Sequence, residues 1–189
     1  MTMAHVFTAA SLIFFGSEVA LGLFKRARAH GARIEDRGSL LVLWGSIGAG
    51  VGLAMLGHRF PSANMRLPFT TAAGLGLGIL AAGLTVRWTA ILTLGRYFTA
   101  NVAIQTGHQL VDGGIYRLLR HPSYTGLLMA FLGIGLAHDN WISLAALMLP
   151  VTAAVLNRIA KEERSLRTAL GEPYAAYCAR TKRLVPWVY

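Results

Sequence analysis

Leu67–Val86 reads LPFTTAAGLGLGILAAGLTV, twenty residues without a charged side chain. A run of about 20 apolar residues matches the hydrocarbon core of a bilayer, and Arg87-Trp88 follows at once, as at a membrane–water boundary. Similar runs lie on either side. Met3–Phe24 is apolar apart from Glu18, and Ser39–Gly57 carries no charge. Downstream, Tyr124–Ala137 is apolar but short, Asp139-Asn140 interrupts, and Trp141–Leu156 is apolar again. The pattern predicts an all-α integral membrane protein of about five transmembrane helices, the last two forming a tight hairpin, with a cytoplasmic helical tail. Composition agrees. Over the 189 residues, 54% are hydrophobic and only 14% charged, against about 25% charged in a soluble domain. A mean hydropathy of +0.51 excludes an ordinary cytosolic globule and a disordered chain.

The net charge of +10 is read from its placement. Nothing basic precedes the first span, as a cleaved signal would require, and Lys25, Arg26 and Arg28 follow it. Of the 18 Lys and Arg residues, Arg59 and Arg66 alone fall between the second and third spans. The rest lie in the Lys25–Arg37 loop, after Val86, or in the tail from Arg158. Five crossings put those three regions on one side. The positive-inside rule makes that side cytoplasmic and the N-terminus external, as in a bacterial inner membrane or its equivalent. The charge is then compatible with anionic membrane lipids, without specifying them, and needs no nucleic acid. Cys178 is the single cysteine and excludes an internal disulfide.

Gly48–Gly52 and Gly74–Gly78 are small-xxx-small pairs, expected to allow close helix contact. Gly76–Ala81 also fits a G-x-G-x-x-A pattern, but it lies inside an apolar helix with no preceding strand and reads as packing.

The polar stretch from Arg87 to Gly126 is where chemistry concentrates. Asp112-Gly113-Gly114 signals a turn. His121-Pro122 breaks the chain before a helix, since residue 121 is driven from the α region and Pro suits a first helical turn. The free N–H groups at that helix start suit a carboxylate. His108 and His121 lack partners at ligand spacing, so no metal site is expected. Ser123 lacks the surroundings of a nucleophile elbow. Glu18, costly inside a span, is expected to reach the interface or an Arg partner. Arg158 and Glu162 share a helix face at i,i+4, and so do Glu163 and Arg167. Both read as exposed ion pairs, or Arg158 and Glu162 face the 108–124 loop.

The chain resembles the isoprenylcysteine carboxyl methyltransferase family, within a wider group that includes phospholipid methyltransferases. The resemblance is carried by Arg87-Trp88, Leu94–Phe98, His108–Val111, Gly114–Tyr116, Arg120–Gly126, Glu162-Glu163, Gly171–Tyr174 and Arg183–Trp187. It covers about the last hundred residues. It implies one membrane domain over residues 1–189, with two amino-terminal spans in 1–66 and a cofactor-binding part in 67–189. It implies S-adenosylmethionine as methyl donor, with contacts from His108, Gln109, Leu110, Val111, Tyr116, His121, Pro122, Ser123, Tyr124 and Glu162. Arg87 and Arg158 match arginines important for substrate binding or catalysis. The implied acceptor is a lipophilic or prenylated carboxylate entering from the bilayer. A carboxylate is already ionised, needs no general base, and suits an arginine clamp. The alternatives are phospholipid or amine N-methylation, an NADPH-dependent membrane reductase, and a non-catalytic membrane partner.

Overall fold

A computed structural model describes residues 2–24, 33–36, 38–104, 107 and 109–186. Four helices are long and apolar enough to cross a membrane: α1 (Met3–Phe24), α2 (Gly38–Ala54, prolonged by a 3-10 turn at Gly57–Arg59), α3 (Phe69–Leu94) and α5 (Trp141–Leu170). The fifth apolar helix, α4 (Pro122–Ala137), has 16 residues. That is about 24 Å at 1.5 Å per residue, short of a hydrocarbon core of about 30 Å. A nine-residue helix, α6 (Glu172–Arg180), forms the tail. The protein is thus an all-helical integral membrane protein with one small addition. Strands β1 (Arg33–Asp36) and β2 (Val102–Ile104) pair antiparallel at the same end as α6. Most of the basic loop after α1, including Lys25, Arg26 and Arg28, lies outside the described residues.

Helices α4 and α5 are joined by the tight turn His138–Asn140, yet α4 packs chiefly on α3, and α5 on α2. The expected glycine pairs are not the contact points. A Cβ on Gly48, Gly52, Gly74 or Gly78 would meet nothing within 4 Å. The close approach uses other glycines. A Cβ on Gly76 would lie 2.6 Å from the Gly133 carbonyl oxygen, and one on Gly83 2.7 Å from that of Gly126. Gly126 in turn would put a Cβ 2.5 Å from the Arg87 nitrogen. These residues recur every seven positions on two antiparallel helices, so each seam keeps one face toward its partner. The i,i+4 pairs face outward instead. Gly76 is therefore a packing residue, as its setting in an apolar helix predicts.

Phe14, Leu80, Phe131, Leu147, Val151 and Val155 build the apolar centre, with Phe14 and Phe131 edge to face at 5.3 Å. Asn140 closes the end away from α6. Its Oδ1 accepts from the Ser143 N–H at 3.0 Å to cap α5, and its Nδ2 donates to the Gly57 carbonyl at 3.1 Å. The chain after α6 returns to the loop before α4. There the Arg120 N–H donates to the Lys182 carbonyl at 2.7 Å, and the His121 N–H to that of Arg183 at 3.0 Å.

Candidate active site

Pro122 occupies the first turn of α4, and His121 precedes it outside the helical region, as the sequence requires. This places His121, Ser123 and Tyr124 side by side against the half of α5 nearer α6. A cleft with about 850 Å³ of empty space opens there between the 94–104 segment, the 110–124 loop, α5 and α6. Its walls include Leu110, Val111, Tyr116, His121, Ser123, Tyr124, Arg158 and Glu162. Eight of the residues singled out in sequence thus converge although they come from three separate stretches. Gln109 is exposed and Pro122 buried, and neither lines the cleft. His108 lies outside the described residues.

Arg158, 3% exposed, sits in the wall. Its Nε donates to the Tyr124 hydroxyl at 2.7 Å, its Nη1 to the Ser39 hydroxyl at 3.0 Å, and its Nη2 to the Ala100 carbonyl. The Tyr124 hydroxyl donates onward to Oε2 of Glu162 at 2.9 Å. Arg158 and Glu162 do share a helix face, but a phenol bridges them and they form no direct ion pair. Among the described residues no carboxylate touches Arg158, and Oε1 of Glu162 has no hydrogen-bond partner.

Glu163 behaves differently from the exposed partner of Arg167 that helical spacing suggests. It is 3% exposed and accepts from Arg120 Nε at 3.0 Å and Arg183 Nη2 at 2.9 Å, with His121 Nε2 at 3.3 Å. Long-range partners outcompete the local one because the loop before α4 brings Arg120, and the returning tail Arg183, over this face of α5.

Arg87 does not line the cleft. It lines a smaller cavity, with about 480 Å³ of empty space, between α1, α2 and α3. Leu21, Leu40, Leu43, Trp44 and Ile47 give this second space an apolar character. Arg87 meets Glu18 there through two contacts, Nε to Oε1 and Nη2 to Oε2, the second at 2.6 Å. Glu18 has therefore found an Arg partner. Arg87 Nη1 donates to the Ser123 carbonyl at 3.0 Å and hydroxyl at 2.9 Å, which ties α3 to the start of α4. Phe98, Thr99, Ser123, Tyr124 and Arg158 belong to both cavities and form the partition between them.

Sequence reasoning did not single out Tyr174 or Tyr177 as site residues, although both line the cleft from α6. Their i,i+3 spacing on a short amphipathic helix was the available signal. The Tyr177 hydroxyl donates to the Tyr116 carbonyl at 2.8 Å, whereas the Tyr174 hydroxyl, on a residue 2% exposed, has no partner among the described residues. Burial, then the nearby Glu162 charge, pushes the Tyr116 phenol up, so it stays protonated and able to donate.

Comparison with known proteins bears on the family and the fold. Residues 75–168 match the family model for the isoprenylcysteine carboxyl methyltransferase family. A probable protein-S-isoprenylcysteine O-methyltransferase of Oryza sativa subsp. indica is 32% identical over 192 residues, covering 98% of this chain and 96% of the rice protein. A protein-S-isoprenylcysteine O-methyltransferase of Schizosaccharomyces pombe is 31% identical over 132 residues, covering 69% of this chain and 56% of its own length. The solved structure of a eukaryotic intramembrane Ras methyltransferase superposes with a TM-score of 0.69 at 23% identity, over 98% of this chain and 67% of that one, which shows the shared fold. The rice relative aligns along almost the whole chain, so both amino-terminal helices fall within the shared architecture. The chain belongs to the isoprenylcysteine carboxyl methyltransferase family.

Proposed function

We propose that this protein methylates the free carboxylate of an S-isoprenylcysteine or a similar isoprenoid or lipid acid, with S-adenosylmethionine as methyl donor. The observation that carries this is Arg158. It is a buried guanidinium without a carboxylate partner among the described residues, set in the partition between the smaller cavity among α1, α2 and α3 and the cleft beneath α6. A buried cation in that position is completed by an anion, and a lipid carboxylate entering through the smaller cavity supplies one.

The cleft suits the donor. Oε1 of Glu162 is a spare acceptor for ribose hydroxyls or an ammonium, and Tyr174, whose buried hydroxyl has no partner among the described residues, adds a wall from α6. His121 and the N-terminus of α4 would hold the donor's carboxylate, while Leu110, Val111 and Tyr116 would offer apolar and aromatic surface to its base. Pro122 fixes the start of α4. His108 and Gln109 remain neighbours of this wall by sequence. When bound, S-adenosylmethionine supplies an electrophilic methyl group on a sulfonium.

The chain's own work is alignment. Arg158 holds the acceptor's carboxylate at the partition, and Tyr124 fixes Arg158 and Glu162 relative to each other. Arg87, through Ser123, holds the partition itself in place. The apolar walls exclude water. No residue has to remove a proton, because the acceptor is ionised at neutral pH. Pre-positioning of two reactants is by itself a large catalytic effect. The cleft lies on the side of the basic tail, and the positive-inside rule supports a cytoplasmic cleft with the N-terminus outside.

Detergent-purified protein should bind S-adenosylhomocysteine by calorimetry and transfer labelled methyl groups to N-acetyl-S-farnesylcysteine as a base-labile ester. Absence of S-adenosylhomocysteine binding sinks the proposal. Transfer to an amine headgroup in place of the carboxylate moves the enzyme to N-methylation.

A further inference from the structure

Two guanidinium groups reach the membrane-side cavity, and they differ in what they already hold. Arg87 grips Glu18 fork to fork, Nε on one oxygen and Nη2 on the other, and its Nη1 serves Ser123. Two parallel N–H···O bonds are the arrangement a free arginine offers to an acceptor's carboxylate. Glu18 thus occupies on Arg87 the place that an acceptor would take. Arg158 in the same cavity holds, among the described residues, only neutral partners, Tyr124, Ser39 and Ala100.

The two positions are not equivalent for transfer. Arg158 borders the cleft as well as the cavity, whereas Arg87 borders only the cavity. A carboxylate held at Arg87 would be on the wrong side of the partition from the methyl donor. Methyl transfer tolerates little misplacement, so such a complex is unproductive.

We propose that Glu18 is a specificity-determining positioning residue. It neutralises Arg87, and so directs a lipid carboxylate entering this cavity to Arg158. The proposal builds on the methyltransferase reading and adds a role for a residue on α1, outside the matched residues 75–168. An acid within a transmembrane helix is costly, and a purely structural tie between α1 and α3 does not require its charge to line a cavity. Removing that charge should create a second, competing anchor.

The test uses the full chain in detergent with N-acetyl-S-farnesylcysteine as acceptor. Glu18→Gln keeps an oxygen for Arg87 but removes the neutralising charge. Its kcat and KM should fall together, each by about tenfold, leaving kcat/KM within about twofold of the wild type, as unproductive binding demands. Without methyl donor, calorimetry should show the carboxylate lipid binding the variant about tenfold more tightly, and its uncharged carboxamide binding both proteins alike. In Glu18→Gln/Arg87→Gln the carboxylate affinity should return to within about twofold of the wild type. This double variant also removes the unpaired buried cation, so it serves if the single variant does not fold. A fall in kcat with KM unchanged or raised, or carboxylate affinity indifferent to Glu18, overturns the proposal and leaves the pair as a structural tie. Wild-type protein that methylates no carboxylate breaks the functional reading instead, while the binding comparison still judges Glu18.

Discussion

Glu162 and Glu163 are adjacent in the chain, about 100° apart around α5, and they live in different electrostatic settings. Glu163 is buried and surrounded by Arg120, Arg183 and His121. It fastens the returning tail to the loop that starts α4. Among the described residues Glu162 has a single phenol as partner and keeps an oxygen free in the cleft. A saturated carboxylate is committed to holding the fold, and an unsaturated one in a cleft is available to a ligand. The local sequence, Lys161-Glu162-Glu163-Arg164, does not distinguish them. The difference arises from what the rest of the chain delivers to each face.

The sharpest way to break this contrast is to remove Glu163. Glu163→Ala leaves two guanidinium groups facing each other over a buried site. Removing one partner of a buried pair typically costs about 3–5 kcal/mol. The expected outcome is a large drop in the melting temperature of the detergent-solubilised protein, with S-adenosylhomocysteine binding lost because the cleft wall loosens. If Glu163→Ala melts like the wild type, the tail is not fastened through this residue. Glu162→Gln should do the opposite. It should leave the melting temperature within a degree or two and weaken S-adenosylhomocysteine binding about tenfold, or ~1.4 kcal/mol. Calorimetry and a melting curve on the same preparation separate the two cases, and equal stability losses would erase the distinction.

Tyr174 and Tyr177 extend the comparison to α6 with a smaller effect. The Tyr177 hydroxyl is committed to the Tyr116 carbonyl, whereas that of Tyr174 has no partner among the described residues. A buried hydroxyl without a partner destabilises the free protein, and replacing it costs nothing. Tyr174→Phe should therefore melt at or above the wild-type temperature while binding S-adenosylhomocysteine about fivefold more weakly. Tyr177→Phe should lose about 1 kcal/mol of stability instead. A Tyr174→Phe variant with unaltered affinity would show that the hydroxyl is simply an unmet polar group.

These contrasts also mark what the sequence can reveal. The spans are legible because an uncharged run of about 20 residues has few other uses. The break before α4 is legible because His121-Pro122 limits the backbone locally. Glu18–Arg87 is legible only as a need: a charge in a span demands a partner, but the partner is 69 residues away. The glycines mislead, because a four-residue spacing is easily seen while the contact uses a seven-residue one whose counterpart lies on another helix. The β1–β2 ribbon leaves no trace, since three or four residues are too few to show an alternating pattern. In the site, Tyr116, His121, Tyr124 and Glu162 stand out through the family resemblance. Periodicity alone does not identify Glu163 as buried, because its cationic partners arrive from Arg120 and Arg183.

Asp36 is a third acidic residue beside the site, and the contrast predicts its effect to be the smallest. It accepts from the Gly38 N–H at 2.8 Å and the Ser39 N–H at 3.2 Å, at the start of α2, and pairs with Lys161 at 2.9 Å. Partial burial acts to raise its carboxyl, but the Lys161 ammonium and the Ser39 and Gly38 donors outweigh it and hold the group well below the usual carboxylate range. A folded-state value below the unfolded one, about 3.9, stabilises the protein above that pH. The contribution disappears as acid titrates the group downward from there. Lys161 is 43% exposed, so solvent screens the pair, and Lys161→Met should cost no more than about 0.5 kcal/mol. The cap made with the Gly38 and Ser39 N–H groups is less exposed to screening. Asp36→Ala should therefore cost more than Lys161→Met, about 1 kcal/mol. Ser39 also receives Arg158 Nη1, so Asp36→Ala should raise KM for the carboxylate acceptor modestly, an effect absent from Lys161→Met. Melting curves between pH 3 and pH 7 should show the stability gap between Asp36→Ala and the wild type closing toward the acid end. A gap that persists unchanged at pH 3 would mean that the ionised carboxylate is not what holds the start of α2.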